Sequence, residues 1–330
     1  KMENKNIWLT YSAEEKEELH KICELYKSWL DKGKTERECV ELAVELAEKA
    51  GYHNLEEYLS EEGQIQKGEK IYAVCMKKCI VLFRMGAEPI SAGMNILGAH
   101  IDSPRIDIKQ NPLYEKDDFT YLDTHYYGGI KKYQWVTQPL ALHGVVVKKD
   151  GSCVNISIGE REDEPVFVIT DLLVHLASKQ LEKKAGEVIE GEKLDILVGN
   201  CPIERDENLK EERETVKANV LKILEEAYGI SEEDFASAEL EIVPSGKARD
   251  IGFDRSMILA YGQDDRICAF TSIMAMLSVE DSSRTACCLL VDKEEIGSVG
   301  ATGMHSRFFE NMVAELIALT EGESDIKCGV

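Results

Sequence analysis

Two largely apolar runs, residues 94–99 and 285–291, constrain the fold of this chain more than any other feature. Each run has the length of a β-strand, and its apolar character predicts a strand that is buried on both faces of a sheet. Polar residues follow each run at once, at His100 and at residues 292–295. Because open α/β sheets bind their ligands at the carboxyl ends of strands, we expect the functional site at these two junctions.

Helices are predicted ahead of the first of these strands. Ser12 and Glu15 form a capping box, and the apolar residues that follow recur with the spacing of a helix packed on one side. Thr35 and Glu38 repeat the capping signal, which predicts a second amphipathic helix over residues 36–50.

Strand-like patterns dominate the next part of the sequence. Residues 71–76 and 79–85 predict a hairpin or two adjacent strands, and residues 105–160 alternate short strand-like runs with turn signals. Residues 205–228 predict a charged amphipathic helix with five inward-facing residues, namely Val216, Val220, Ile223, Leu224 and Ala227. A break at residues 244–246 ends this middle part, which we interpret as a separate β-rich module.

Composition argues against several classes of protein. With 330 residues, of which 44% are hydrophobic, the chain is long enough for two domains. Its net charge of −23 repels phosphate backbones and anionic lipids, so we expect binding neither to nucleic acid nor to membranes. We find no run for a membrane span and no signal peptide, and the ten cysteines lie in apolar runs, as buried thiols do. These features predict a cytoplasmic protein.

Two short polar motifs supply candidate metal ligands. In the first, His100 and Asp102 share one face of an extended segment, so Asp102 can orient a metal-bound imidazole or lie directly behind it. A strand-end histidine with a capping aspartate explains the same pattern. In the second, Asp264 and Asp265 precede an apolar run with helical character, where an acidic pair serves either as an N-cap or as a carboxylate that bridges two cations.

A third motif, Glu294-Glu295, follows the second buried strand. Neighbouring residues of an extended chain point to opposite sides, so one carboxylate can bind a metal while the other faces the water to be activated. Residues 297–303 are rich in glycine but lack the lysine of a phosphate-binding loop, and they predict a tight turn into a helix. A histidine and several carboxylates, without a candidate thiolate or serine elbow, point to hydrolysis assisted by two metal ions.

The order and spacing of these motifs resemble the M18 family of metalloaminopeptidases, to which aspartyl aminopeptidase belongs. The matching segments are residues 98–105, residues 247–250 running to 261–266, and residues 294–298. The resemblance implies an α/β fold with a catalytic domain of the co-catalytic zinc peptidase type, interrupted by a β-rich dimerisation domain. The implied divisions are residues 1–105 and 247–330 for the catalytic domain and residues 106–246 for the insert.

The resemblance also implies roles for individual residues. His100 would bind one metal ion and Glu295 would bind the other. Asp264 would bind both ions. Glu294 would be the general base and Asp102 would orient the site. The family places a histidine from a neighbouring subunit at the substrate, and His175 is the candidate here, although a histidine on an apolar helix or strand face explains its surroundings equally well.

One departure from the family pattern concerns the remaining ligands. The family's second aspartate ligand and its last histidine ligand lie beyond the Glu-Glu motif, and this sequence ends at Val330 before either. Since catalytic zinc normally has about three protein ligands, we expect either that the second catalytic segment is C-terminally incomplete or that the molecule is not fully active.

The resulting functional prediction is a metal-dependent aminopeptidase. By resemblance it would release N-terminal residues, acidic ones included, from peptides with a free N-terminus, and would assemble as a homo-oligomer, a dodecamer in the family. Its cofactors would be two divalent ions, zinc by preference, with cobalt and manganese as alternatives. A related two-metal amidohydrolase or deacylase, and a catalytically silent or truncated assembly subunit, are the alternatives.

Overall fold

The computed structural model describes residues 6–60, 63–203 and 214–321. The α-helices in these residues are α1 (Ala13–Lys32), α2 (Glu36–Lys49), α3 (Leu55–Ser60), α4 (Ser178–Leu181), α5 (Thr215–Tyr228), α6 (Gln263–Ser278) and α7 (Phe308–Glu321). The strands are β1 (His53–Asn54), β2 (Lys70–Cys75), β3 (Cys79–Arg84), β4 (Asn95–His100), β5 (Arg105–Lys116), β6 (Phe119–Tyr127), β7 (Leu140–Val147), β8 (Cys153–Ile158), β9 (Ile196–Gly199), β10 (Ala238–Pro244), β11 (Arg249–Ile251), β12 (Met257–Leu259) and β13 (Ala286–Val291).

These elements form two compact units. The first unit contains the described residues up to Ile101, then Lys247–Asp292, and then those from Gly300 onward. The second unit contains Asp102–Gly246 and Lys293–Val299. The use of 106–246 as a dimerisation domain stays a prediction.

The first unit is built on a five-stranded sheet in the order β1-β2-β3-β13-β4. β13 runs antiparallel to β3 and parallel to β4, and its register with β4 places Val291 opposite His100. The two predicted strands are therefore neighbours, and their carboxyl ends meet at one edge of the sheet.

Successive side chains of these strands point to opposite faces of the sheet, and each face carries an apolar layer. One layer includes Leu82 and Leu290 and packs against helices α1, α2 and α6; the aromatic pair Tyr26 and Phe270 contributes to it, with ring centroids 5.1 Å apart. The opposite layer includes Phe83 and is covered by residues of α3 and α7. Helices on both faces complete a three-layer α/β arrangement.

The N-terminal elements form as their sequence signals predict. Ser12 and Thr35 are the N-caps of α1 and α2, and each forms a complete capping box with the glutamate three residues later. The predicted hairpin is the antiparallel pair β2 and β3. Local hydrogen bonds and short turns determine these elements, which explains why the sequence alone predicts them.

Strand β4 departs from its predicted burial. Burial on both faces is correct for most of β13, whereas the first four residues of β4 are exposed, with Ile96 at 52% and Leu97 at 41%. These residues are exposed because β4 is the last strand of its sheet in the described chain, and no further strand there pairs with its outer edge.

The second unit contains a six-stranded antiparallel sheet in the order β8-β7-β10-β5-β6-β9. Of the helix predicted over 205–228, residues 205–213 lie outside the described part, and α5 begins at Thr215. The predicted inward orientation is correct for Val216, which is buried, and wrong for Ile223, which is 52% exposed. The apolar face of α5 borders a cavity of about 660 Å³ instead of filling it.

The cysteines follow the prediction only in part. The nine cysteines of the described residues are free thiols, and Cys79, Cys287 and Cys288 are buried deeply enough that burial raises the pKa of each to about 12. Three others are exposed, contrary to the prediction: Cys153, Cys201 and Cys268. Among the described helices, none combines the length and the apolar character that crossing a membrane requires.

Candidate metal centre

The first unit places His100 next to the acidic pair of the second motif. His100 is the last residue of β4, and its side chain is 10% exposed. Its Nε2 atom lies 3.5 Å from Oδ1 of Asp264, whose side chain is 91% exposed. A mostly buried imidazole and an accessible carboxylate thus face each other at the carboxyl end of the sheet, where the strand pattern predicts a site.

Asp264 occupies an irregular start of helix α6. Gly262, with a φ of 78°, is the N-cap, and neither Asp264 nor Asp265 has helical backbone angles. No side chain caps the helix at Gly262, and continuous helical backbone begins only at Arg266, directly after the two aspartates. The N-cap interpretation of the acidic pair therefore stays a prediction beside the metal-bridging one.

Arg266 fixes this start of α6 from inside the first unit. Its side chain is 1% exposed, its Nε donates to the carbonyl oxygen of Ile101 at 3.1 Å, and its Nη2 donates to the carbonyl oxygen of Lys34 at 2.9 Å. Since Ile101 directly follows His100, one guanidinium links the segment that carries the histidine to the segment that carries Asp264. The sequence motif contains Arg266 but gives no sign of this role.

In the second unit, Asp102 holds the backbone of the glutamate pair. Its side chain is fully buried. Oδ1 accepts a hydrogen bond from the backbone N–H of Glu294 at 3.2 Å, and Oδ2 accepts one from the backbone N–H of Glu295 at 3.2 Å and one from the Tyr127 hydroxyl at 2.6 Å. Asp102 therefore positions the turn that carries both glutamates.

The glutamate pair does not lie on an extended chain. β13 ends at Val291, and Glu294–Ile296 form a 3₁₀ turn between two left-handed residues, Lys293 (φ 69°) and Gly297 (φ 83°). The predicted opposite orientation of the two carboxylates is thus wrong, because successive side chains of a 3₁₀ helix diverge by about 120° rather than 180°. A turn into α7 does follow, as the glycine-rich segment predicts.

His175 lies on an exposed turn of the second unit. It belongs to neither a helix nor a strand, so the interpretation as a histidine on an apolar face of such an element is wrong. Four apolar neighbours are exposed by more than half: Leu172, Leu173, Val174 and Leu176. Within the second unit, the structure gives His175 no contact with the glutamate pair.

Comparison with known proteins assigns the family. The sequence model described as Aminopeptidase I zinc metalloprotease (M18) matches residues 29–330. This chain belongs to the M18 aminopeptidase family. A probable M18 family aminopeptidase 1 of Clostridium acetobutylicum is 55% identical over 325 residues, which cover 98% of this chain and 69% of the relative.

Solved M18 structures agree with this assignment. The Thermotoga maritima aminopeptidase superposes with a TM-score of 0.90 at 41% identity over 98% of this chain and 68% of its own. Aminopeptidase I from C. acetobutylicum superposes with a TM-score of 0.88 at 51% identity, over 97% of this chain and 69% of its own. The Saccharomyces cerevisiae mApe1 dodecamer gives 0.69 at 19% identity, over 91% of this chain and 66% of its own, a similarity of fold alone. The predicted family, the mixed α/β fold and the class of peptide hydrolase are confirmed.

The residues present suit the zinc of an M18 peptidase. Imidazole nitrogen and carboxylate oxygen are both ordinary zinc ligands, and two such atoms in tetrahedral coordination lie about 3.3 Å apart. The separation of 3.5 Å between His100 Nε2 and Asp264 Oδ1 is close to that value. The separation is therefore compatible with both atoms binding one zinc ion.

Proposed function

We propose that this M18 aminopeptidase removes N-terminal residues, acidic ones in preference, from peptides with a free α-amine, and that two zinc ions assist the hydrolysis. His100 and Glu295 would each bind one ion, and Asp264 would bridge both. The observation that carries the proposal is the spacing of His100 and Asp264 at the carboxyl end of β4. The preference for acidic residues rests on the resemblance to aspartyl aminopeptidase.

The remaining residues of the proposed centre would act on protons and on position. Zinc held there would polarise the scissile carbonyl and lower the pKa of a water molecule. The Glu294 carboxylate would accept the proton of that water and pass it to the leaving amine, as general base and then general acid. Asp102 would contribute through the backbone, since it accepts from the N–H groups of both glutamates.

A panel of aminoacyl anilides tests this function. We expect hydrolysis of substrates with a free α-amine, at least tenfold slower hydrolysis of their N-acetylated forms, and faster release of aspartate or glutamate than of leucine or lysine. Elemental analysis of the purified protein counts the bound metals and separates zinc from cobalt and manganese. Preference for the acetylated substrates would favour a deacylase and contradict the aminopeptidase specificity that we propose.

We further propose that the chain assembles as a homo-oligomer through the β-rich module. The support is the apolar turn around His175, where Leu173 is 71% exposed beside three other exposed apolar side chains. Contact through this turn would carry His175 to the substrate of a neighbouring copy, as the family resemblance implies. The free thiols of the described cysteines suit a cytoplasmic location.

Replacement of Leu173 by aspartate is expected to weaken self-association by about tenfold or more, because a charge would replace an apolar side chain on the proposed contact surface. Sedimentation velocity over a concentration series measures the effect. Leu9→Asp is the matched control, since Leu9 is also strongly exposed, at 83%, but lies in the first unit. A monomeric parent protein, or equal effects of the two substitutions, would contradict the assignment of this turn to the interface.

A further inference from the structure

We propose that Tyr127 is a positioning residue of the peptidase reaction, which sets the glutamate turn through Asp102. This inference rests on the proposed function, because it assumes that the Glu294-Glu295 turn carries the base and a metal ligand. Tyr127 lies 25 residues from Asp102 in the sequence and at the end of β6. Its hydroxyl donates to Asp102 Oδ2 at 2.6 Å, a length typical of a strong bond to a carboxylate.

The ring of Tyr127 is held in place from the strand beside it. The antiparallel register of β5 and β6 sets Arg105 opposite Tyr127, and the guanidinium carbon lies 3.8 Å from the ring centroid. Arg105 is itself 3% exposed, and its Nε lies 2.8 Å from Asp107 Oδ1 and 3.1 Å from Glu241 Oε2. Since Arg105 is fixed by two carboxylates, the tyrosine hydroxyl has little freedom to leave Asp102.

The residue after Tyr127 restricts the glutamate turn directly. Gly128 has a φ of 71°, and a Cβ atom at this position would lie 3.0 Å from Cβ of Glu295 and 3.3 Å from its Oε2. The turn thus lies against the end of β6 on one side, and Asp102 holds its N–H groups. A buried carboxylate that accepts from two amides and one hydroxyl defines the direction of those amides more narrowly than one that accepts from the amides alone.

Tyr127→Phe removes only the hydroxyl, and the second unit offers a closely matched control. The Tyr114 hydroxyl donates to Asp195 Oδ2, also at 2.6 Å, and this bond involves no residue of the glutamate turn. We expect Tyr127→Phe to speed amide hydrogen exchange in residues 293–299 by about tenfold and to lower kcat by about tenfold at a KM within twofold of the parent value. Tyr114→Phe should change neither quantity by more than twofold.

Gly128→Ala tests a separate point, namely whether the contact between the end of β6 and the glutamate turn affects metal binding. Its control is Gly151→Ala, because Gly151 also has a positive φ, 84°, but a Cβ atom added there would have no neighbouring atom within 4 Å. Both variants bear the strain of a left-handed alanine, and only the first crowds Glu295. We expect the zinc dissociation constant, measured by chelator competition, to rise about tenfold in Gly128→Ala relative to Gly151→Ala.

The outcomes separate this inference from the function on which it rests. If amide exchange and kcat in Tyr127→Phe equal those in Tyr114→Phe while Glu294→Gln is inactive, Tyr127 has only a structural role and the inference is wrong. If Glu294→Gln retains full activity, the proposed centre itself is wrong. Should Tyr127→Phe fail to fold, Arg105→Lys keeps the hydroxyl but removes the guanidinium that holds its ring. Unchanged amide exchange in residues 293–299 of that variant would then contradict the inference.

Discussion

Glu294→Gln is expected to lower kcat by about 10²- to 10⁴-fold while the zinc content stays at the parent value. Glutamine keeps the size and shape of the side chain but cannot accept and return a proton. Because the backbone N–H of Glu294, not its side chain, bonds to Asp102, the substitution leaves the turn in place. The measurement is kcat on an aminoacyl anilide beside the zinc content of the same preparation.

Glu295→Gln should behave differently, since we assign this residue to metal binding. A neutral amide is a much weaker ligand for a dication than a carboxylate, so the variant should lose zinc and activity together, and added zinc should restore part of the activity. Glu162→Gln is the control, because Glu162 is exposed on the second unit and has no assigned role. Parent protein from which a chelator has removed the metal gives the background activity.

The pair of variants can also overturn the assignment. Loss of zinc in Glu294→Gln with full zinc in Glu295→Gln would exchange the roles of the two residues. Unchanged turnover in both would make the motif structural and remove the basis of the proposed centre.

Local sequence signals predict the position of this site in the chain, and tertiary contacts determine the rest of its geometry. Strand ends predict the neighbourhood of His100 and the glutamate pair, because strand patterns and their ends are local properties. The 3₁₀ turn at Glu294 is not predictable in this way, since its N–H groups depend on an acceptor 192 residues away in the sequence. Tyr127 and Arg266 are missed for the same reason. The residues next to Tyr127 and Arg266 in the sequence do not indicate which distant groups these side chains bond to in the fold.

The exposure of β4 illustrates a second limit. An apolar run predicts a strand, but whether that strand lies inside a sheet or at its edge depends on which other strands pair with it. Ile96 and Leu97 are exposed although their sequence is that of a buried strand. Pattern thus predicts the type of element, and topology decides its burial.

Arg266→Met is expected to lower the free energy of unfolding of the first unit by about 2–6 kcal/mol, because two buried carbonyl oxygens each lose a donor at a cost of about 1–3 kcal/mol. Methionine fills much of the same volume but donates no hydrogen bond, so the carbonyl oxygens of Ile101 and Lys34 lose their buried donors. Urea denaturation measures the change when the fluorescence of Trp29 is followed in a background with phenylalanine in place of Trp8 and Trp135. Trp29 is buried in the first unit, 6.0 Å from the Phe270 ring.

Two further variants define the cause of that loss. Arg284→Met is the control, because Arg284 is 52% exposed and its Nε lies 3.7 Å from Glu88 Oε2, and it should cost less than about 0.5 kcal/mol. Arg266→Lys should lie between them, since one ammonium group cannot reproduce the planar fork that reaches two carbonyls. Equal stability of Arg266→Met and the parent protein would mean that the guanidinium is dispensable. The link between the His100 and Asp264 segments would then have to come from packing alone.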